Sequence, residues 1–149
     1  MKIAIGISHP AHVHFFKNVI KILSSSHNIY IFANDRENTQ QLLNLYDIPY
    51  EVYGKNQPKI HKKFMAFIGY EKYFYSSFKE IQPDFVMSIA HTFFSHIGKL
   101  LNIPSLYFTD TEDAKIINNI GFPFADWIIT PSCFKSKVPL EKHISYNSY

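Results

Sequence analysis

Gly6-Ile7-Ser8-His9-Pro10-Ala11-His12-Val13-His14-Phe15-Phe16 is the stretch whose reading decides the fold. Just before it, Lys2-Ile3-Ala4-Ile5-Gly6-Ile7 forms a nearly unbroken apolar run, the mark of a strand covered on both faces. Pro10 stands where a first helical residue is favoured, because its missing N–H would have no partner there. Beyond it Phe16, Val19, Ile20 and Leu23 recur at helical spacing and predict one buried stripe. A strand that runs straight into a helix is the opening of a βα unit. It sets His9, His12 and His14 at the carboxyl end of the first strand, the edge where open α/β sheets bind ligands.

Outward from there, strand-like and helix-like periods alternate, which predicts βαβ units around a parallel sheet. Further strands are expected at 29–33, 50–53, 84–89, 104–108 and 127–130, with a last extended fragment at 143–146. One helix turns Thr39, Leu42, Leu43 and Tyr46 the same way. The longest, 62–80, carries a broad band of Phe64, Phe67, Ile68, Phe74, Phe78 and Ile81. A helix at 92–101 is expected to face inward with Phe93, Ile97, Leu100 and Leu101, and a short one follows at 113–120. Right-handed crossovers then give an α/β, Rossmann-like three-layer sandwich. Its mostly parallel sheet of about six strands is ordered 3-2-1-4-5-6.

The 149 residues suit one domain, and 46% apolar against 18% charged residues describes a globular chain. A formal net charge of +3 with no dense Lys/Arg run argues against nucleic acid as a partner. One cysteine, Cys133, excludes an internal disulfide framework and fits a reducing compartment. The chain enters its first strand without a signal-peptide pattern, and no stretch approaches the roughly 20 apolar residues of a membrane span. The expected location is cytoplasmic. Lys55, Lys59, Lys62 and Lys63 beside Phe64 and Phe67 would suit a peripheral contact at the inner face of a membrane, although such an aromatic band more often builds core.

No cofactor motif is present. A dinucleotide site wants Gly-x-Gly-x-x-Gly after strand one, and here imidazoles fill the turn. The three histidines do not suit a metal either, since His12 and His14 on a helix point about 200° apart. His12 in the first helical turn is instead suited, kept neutral by the helix dipole, to hydrogen-bonding a sugar hydroxyl or acting as a base. Capping or packing at the sheet edge is the alternative. His9, Pro10 and His14 share this candidate binding turn.

Thr109-Asp110-Thr111-Glu112-Asp113, after strand five, brings a second set of groups to the same edge. Asp110 and Glu112 are candidate bases and Thr111 a substrate contact. Thr109-x-x-Glu112 also reads as a capping box. Ser88, His91 and Thr92 follow strand four as candidate contacts, with Thr92 in a normal N-cap position. Asp35 and its neighbour Arg36 follow strand two as either a ligand contact or a solvated turn. Cys133 is expected to be buried and inert.

His9-Pro10-Ala11-His12-Val13-His14-Phe15-Phe16-Lys17 is similar to the DUF354 family. So are Gly54-Lys55, Pro104-Ser105, Asp110-Thr111-Glu112, Pro123-Phe124-Ala125-Asp126 and Ile129-Thr130-Pro131-Ser132-Cys133. That family resembles the GT-B glycosyltransferase and UDP-N-acetylglucosamine 2-epimerase superfamily. The resemblance implies a Rossmann-like, acceptor-side domain over residues 1–141, with 142–149 beginning a linker to a C-terminal domain that holds the nucleotide-sugar. It implies a glycosyltransferase half acting on a sugar or lipid-linked acceptor, for surface polysaccharide or glycolipid. A 2-epimerase, or a non-catalytic half of a split enzyme, are the alternatives. No metal and no cofactor are expected. The epimerases carry a His-Gly-Asp-type turn after strand four, where this chain has Ile89-Ala90-His91-Thr92, and that favours transfer. Where the family leads one to expect an Arg-Asp pair after strand two, this chain has Asn34-Asp35.

Overall fold

β1 (Lys2–Ile7) alternates large and small side chains, and the alternation sets the layers. Ile3, Ile5 and Ile7 pack into one core cluster, while Ala4 packs into a second on the opposite face. The structure, a computed structural model, describes residues 1–54 and 60–147, with backbone alone for 60–65. Around β1 lie β2 (Asn28–Asn34), β3 (Glu51–Tyr53), β4 (Phe85–Ile89), β5 (Ser105–Phe108), β6 (Trp127–Pro131) and β7 (His143–Tyr146). Among the described residues they form one sheet of seven strands, ordered β3-β2-β1-β4-β5-β6-β7, with every pairing parallel. The extended fragment at 143–146 is thus a strand, pairing Ile128 with His143 through to Pro131 with Tyr146.

α1 (Pro10–Leu23) and α2 (Glu37–Leu45) cover the face lined by the β1 isoleucines. α3 (Ile60–Ile81) and α4 (Thr92–Leu101) cover the other, and α5 (Lys115–Gly121) packs beside α4. The first core is aliphatic for the most part. The second is crowded with rings: Phe74 touches Phe32, Tyr53, Phe78, Phe93 and Phe94, with centroids 4.8 to 6.0 Å apart. Edge-to-face packing of this kind adds to the area buried. Small residues on β1 make room for it. A methyl group on Gly6 would sit 2.8 Å from Phe94 Cε2, so glycine here makes room for ring packing.

Two helices turn differently from the expected stripes. In α4 it is Phe94, Ile97 and the small Ser95 and Gly98 that are buried, while Leu100 is 65% exposed and Phe93 half-buried. In α1 the buried face is Val13, Phe16 and Ile20, and Val19 is exposed. The short helix expected at 113–120 begins as a 3-10 turn, Glu112–Ala114, before α5 takes over.

Two aspartates fasten the amino edge of the sheet. Asp84 Oδ2 accepts the Lys2 N–H at 2.6 Å, and the Asp84 N–H is donated to Lys2 O at 2.8 Å. Asp126 Oδ2 accepts from Ser105 N–H at 2.9 Å and from its hydroxyl at 3.1 Å. The Pro123-Phe124-Ala125-Asp126 block is therefore part of the scaffold.

Candidate functional site

The strand order reverses between β1 and β4, so the crevice beyond their carboxyl ends is a topological switch point, where open α/β sheets take ligands. Two turns border it. Ser8 and His9 lead from β1 into α1, with His9 as the N-cap, its Nδ1 accepting the Ala11 N–H at 3.2 Å. Ala90 and His91 lead from β4 into α4. Ala90 lies in the left-handed region at φ 47°, which costs an L-residue about 1–2 kcal/mol. Its N–H, donated to Phe108 O at 2.8 Å, helps to hold that conformation.

His12, in the first turn of α1, is half-buried. Its Nδ1 accepts the Ser8 backbone N–H at 3.3 Å, with Ser8 Oγ at 3.4 Å. Burial, above all, pushes its pKa down to about 4; His9 and Arg36 push the same way and Asp110 opposes them. The leading cause is thus desolvation rather than the helix dipole that the sequence suggested.

His91 is 7% exposed and lies among the rings of Tyr53, Phe74, Phe93 and Phe94, at 5.1 to 5.7 Å between centroids. Its Nε2 is hydrogen-bonded to the Tyr53 hydroxyl, and its Nδ1 finds no hydrogen-bond partner among the described residues. Burial pushes the His91 pKa down to about 3, with His12 adding to the shift. Burial also raises the Tyr53 phenol pKa, so the phenol stays protonated beside Nε2. Sequence reasoning missed Tyr53, because a tyrosine ending a short strand reads as core. It also undervalued Arg36, whose charge acts on both His12 and Tyr53. Its position at the carboxyl end of strand two was the available signal.

These two imidazoles make the fold acid-sensitive. Each has a folded-state pKa below the ordinary 6.5, so the unfolded chain binds the extra protons. The stability they contribute is complete above pH 6.5 and is lost as pH falls toward about 4 for His12 and about 3 for His91. Urea midpoints measured from pH 7 down to 4 are expected to fall, and to fall less in His12→Gln. An identical slope in that variant would assign the sensitivity to other groups. His96 works in the opposite sense. Its Nδ1 faces Glu71 Oε1 at 2.8 Å and its Nε2 faces Ile120 O at 3.3 Å, so two acceptors favour the imidazolium. The Glu71 bond raises its pKa, and the stabilisation is present below 6.5 and lost as pH rises through the raised value.

Asp110 is exposed, two residues past β5, and its charge is felt at His12. Glu112 goes elsewhere: its Oε1 accepts the Lys135 N–H at 2.9 Å, which lowers its carboxyl pKa and ties the turn after β5 to the loop after β6. The expected Thr109-x-x-Glu112 capping box does not form. Thr111 caps the 3-10 turn instead, accepting the Asp113 N–H at 3.3 Å, and the buried Thr109 hydroxyl has no partner among the described residues. Similarly, His91 rather than Thr92 holds the N-cap position of α4, because the turn at Ala90 ends one residue earlier; Thr92 is buried as the first helical residue. Ser88, buried, donates to His91 O at 3.3 Å. Pro10 is the first residue of α1. His14 is exposed and meets Tyr46 edge-on at 6.0 Å. Asp35 is exposed and accepts from Gln40 Nε2 at 3.1 Å.

Cys133, expected to be buried, is exposed, since it sits in the turn closed by Phe134 N–H to Pro131 O at 3.0 Å. Among the described residues no group of three or more His, Cys, Asp or Glu could hold a metal ion. Of the basic-aromatic edge, Lys55 and Lys59, and the side chains of Lys62, Lys63 and Phe64, lie outside the described residues. Phe67 is half-buried against Phe93, at 4.8 Å between ring centroids. No helix among the described residues is long and apolar enough to cross a membrane.

A parallel sheet with this order, helices on both faces and polar turns at its carboxyl edge define a Rossmann-like α/β domain of the kind found in GT-B folds. The chain belongs to the DUF354 family, described as a protein of unknown function, which it matches over residues 1–143. No curated protein matches it in sequence. Among solved structures it is similar to a UDP-GlcNAc 2-epimerase from Neisseria meningitidis bound to UDP-GlcNAc. The TM-score is 0.71 at 11% identity, covering 87% of this chain and 40% of that one. It is similar as well to MurG of Acinetobacter baumannii, with TM-score 0.66, 15% identity, 97% of this chain and 45% of that one. The spinosyn rhamnosyltransferase SpnG follows at TM-score 0.64 and 13% identity, with 100% of this chain and 50% of that one. The chain thus spans half or less of the length of each of these three structures.

Proposed function

We propose that this chain is the N-terminal, acceptor-side half of a GT-B-type glycosyltransferase that uses a nucleotide-activated sugar. The observation that carries the reading is that His12, after β1, and Asp110, after β5, both stand at the carboxyl edge of the sheet beside its switch point. An imidazole and a carboxylate so placed suit the binding and deprotonation of an acceptor hydroxyl. Similarity to MurG and to a rhamnosyltransferase agrees with this choice. In this reading a second domain supplies the groups that hold the nucleotide-sugar, with helix N-termini and amides stabilising the leaving diphosphate without a metal. The acceptor is a sugar or a lipid-linked sugar reached from the cytoplasmic side, and the segment around Lys55 to Phe67 is the proposed membrane contact.

The second reading is a UDP-N-acetylglucosamine 2-epimerase, favoured by the fold similarity to such enzymes. One assay separates the two. The protein as the cell makes it is incubated with UDP-N-acetylglucosamine and a panel of other UDP- and dTDP-sugars, with and without saccharide acceptors. Nucleoside diphosphate release that depends on acceptor is the expected result. Conversion of UDP-N-acetylglucosamine to its 2-epimer without any acceptor would replace transfer by epimerisation, and turnover of no donor would favour a non-catalytic half.

A further inference from the structure

The hydrogen bonds around His12 decide which of its ring nitrogens carries the proton. Nδ1 accepts the Ser8 backbone N–H at 3.3 Å. A backbone amide can only donate, so Nδ1 must offer its lone pair, and in the neutral ring the proton then sits on Nε2. Burial favours that neutral ring, and a protonated Nδ1 would face the Ser8 N–H donor to donor. A base needs the opposite arrangement, with a lone pair on the nitrogen that meets the substrate.

We propose that His12 serves as a hydrogen-bond donor through Nε2–H and that the Asp110 carboxylate is the base that takes the acceptor's proton. The assignment rests on the transferase reading above and divides the labour within it. The acceptor oxygen receives a hydrogen bond from His12 Nε2–H and gives its own proton to Asp110. Its remaining lone pair forms the new bond to the sugar's anomeric carbon, while the bond from that carbon to the phosphate oxygen breaks and its electron pair leaves with the nucleoside diphosphate. The proton ends on Asp110 and the imidazole is unchanged. Glu112 is turned to another task, since its Oε1 accepts the Lys135 N–H.

The test has two arms. In long-range 1H–15N spectra of the 15N-histidine-labelled 149-residue chain, His12 is expected to show a protonated Nε2 and an unprotonated Nδ1 at pH 7. An Nδ1-protonated ring, or an imidazolium, would overturn the assignment. In the transfer assay His12→Gln, whose amide still donates, is expected to stay within about tenfold of the natural protein, whereas His12→Phe falls by about 10²-fold or more. Equal losses in the two variants would make His12 the base. If no donor is turned over, the transferase reading fails, and the spectra still decide the state of the ring.

Discussion

Asp110→Asn is expected to lower glycosyl transfer by about 10²–10⁴-fold, the usual worth of a positioned general base. The amide keeps the shape of the carboxylate and loses its capacity to take a proton. Asp110 is exposed beyond β5, so the substitution should leave stability within about 0.5 kcal/mol of the natural protein. The check is a pair of measurements on one preparation, the turnover rate with saturating donor and the urea midpoint. A variant that loses both would mean that Asp110 supports the turn after β5 rather than the chemistry. A variant that loses neither would move the base elsewhere on the rim.

Phe74→Ala is expected to be the most damaging single truncation of the core, at about 3–5 kcal/mol. Its ring is wholly buried and in contact with six other aromatic side chains as well as His91. The collapse needed to fill the hole would have to move α3, α4 and the Tyr53–His91 pair together. Domains of this size are stable by only about 5–15 kcal/mol, so the variant should unfold many degrees below the natural protein in calorimetry. Phe74→Leu, which retains most of the volume, should lose much less. Equal losses would show that edge-to-face ring geometry, and not volume, holds this layer.

What the sequence disclosed and what it hid follow from the range of the interactions involved. The β1–α1 joint could be read because an unbroken apolar run and Pro10 act locally. The strand order followed from the alternation of periods and the handedness of crossovers, and β7 extended it by one strand. The inward face of α4 was misjudged because Phe93 and Phe94 are adjacent, and periodicity alone cannot choose between them. Gly6, far away in sequence, chooses by leaving room for Phe94. The Thr109-x-x-Glu112 pattern was a sound local motif that lost to a partner 23 residues away, Lys135. The Tyr53–His91 pair spans 38 residues, and no spacing rule could have joined a strand-end tyrosine to a helix-cap histidine. At the rim, the residue types were visible in advance. Which nitrogen of His12 carries its proton was not, since one backbone amide decides it.

Asp84 and Asp126 sit at the end of the sheet remote from the histidines. That separation puts the two carboxylate clamps at one end of the strands and the histidine-bearing turns at the other. Substitutions around the two carboxylates are expected to shift the melting point while leaving the turns after β1, β4 and β5 in place. Random mutagenesis confined to the amino end of the strands therefore samples stability with the histidine-bearing rim held constant.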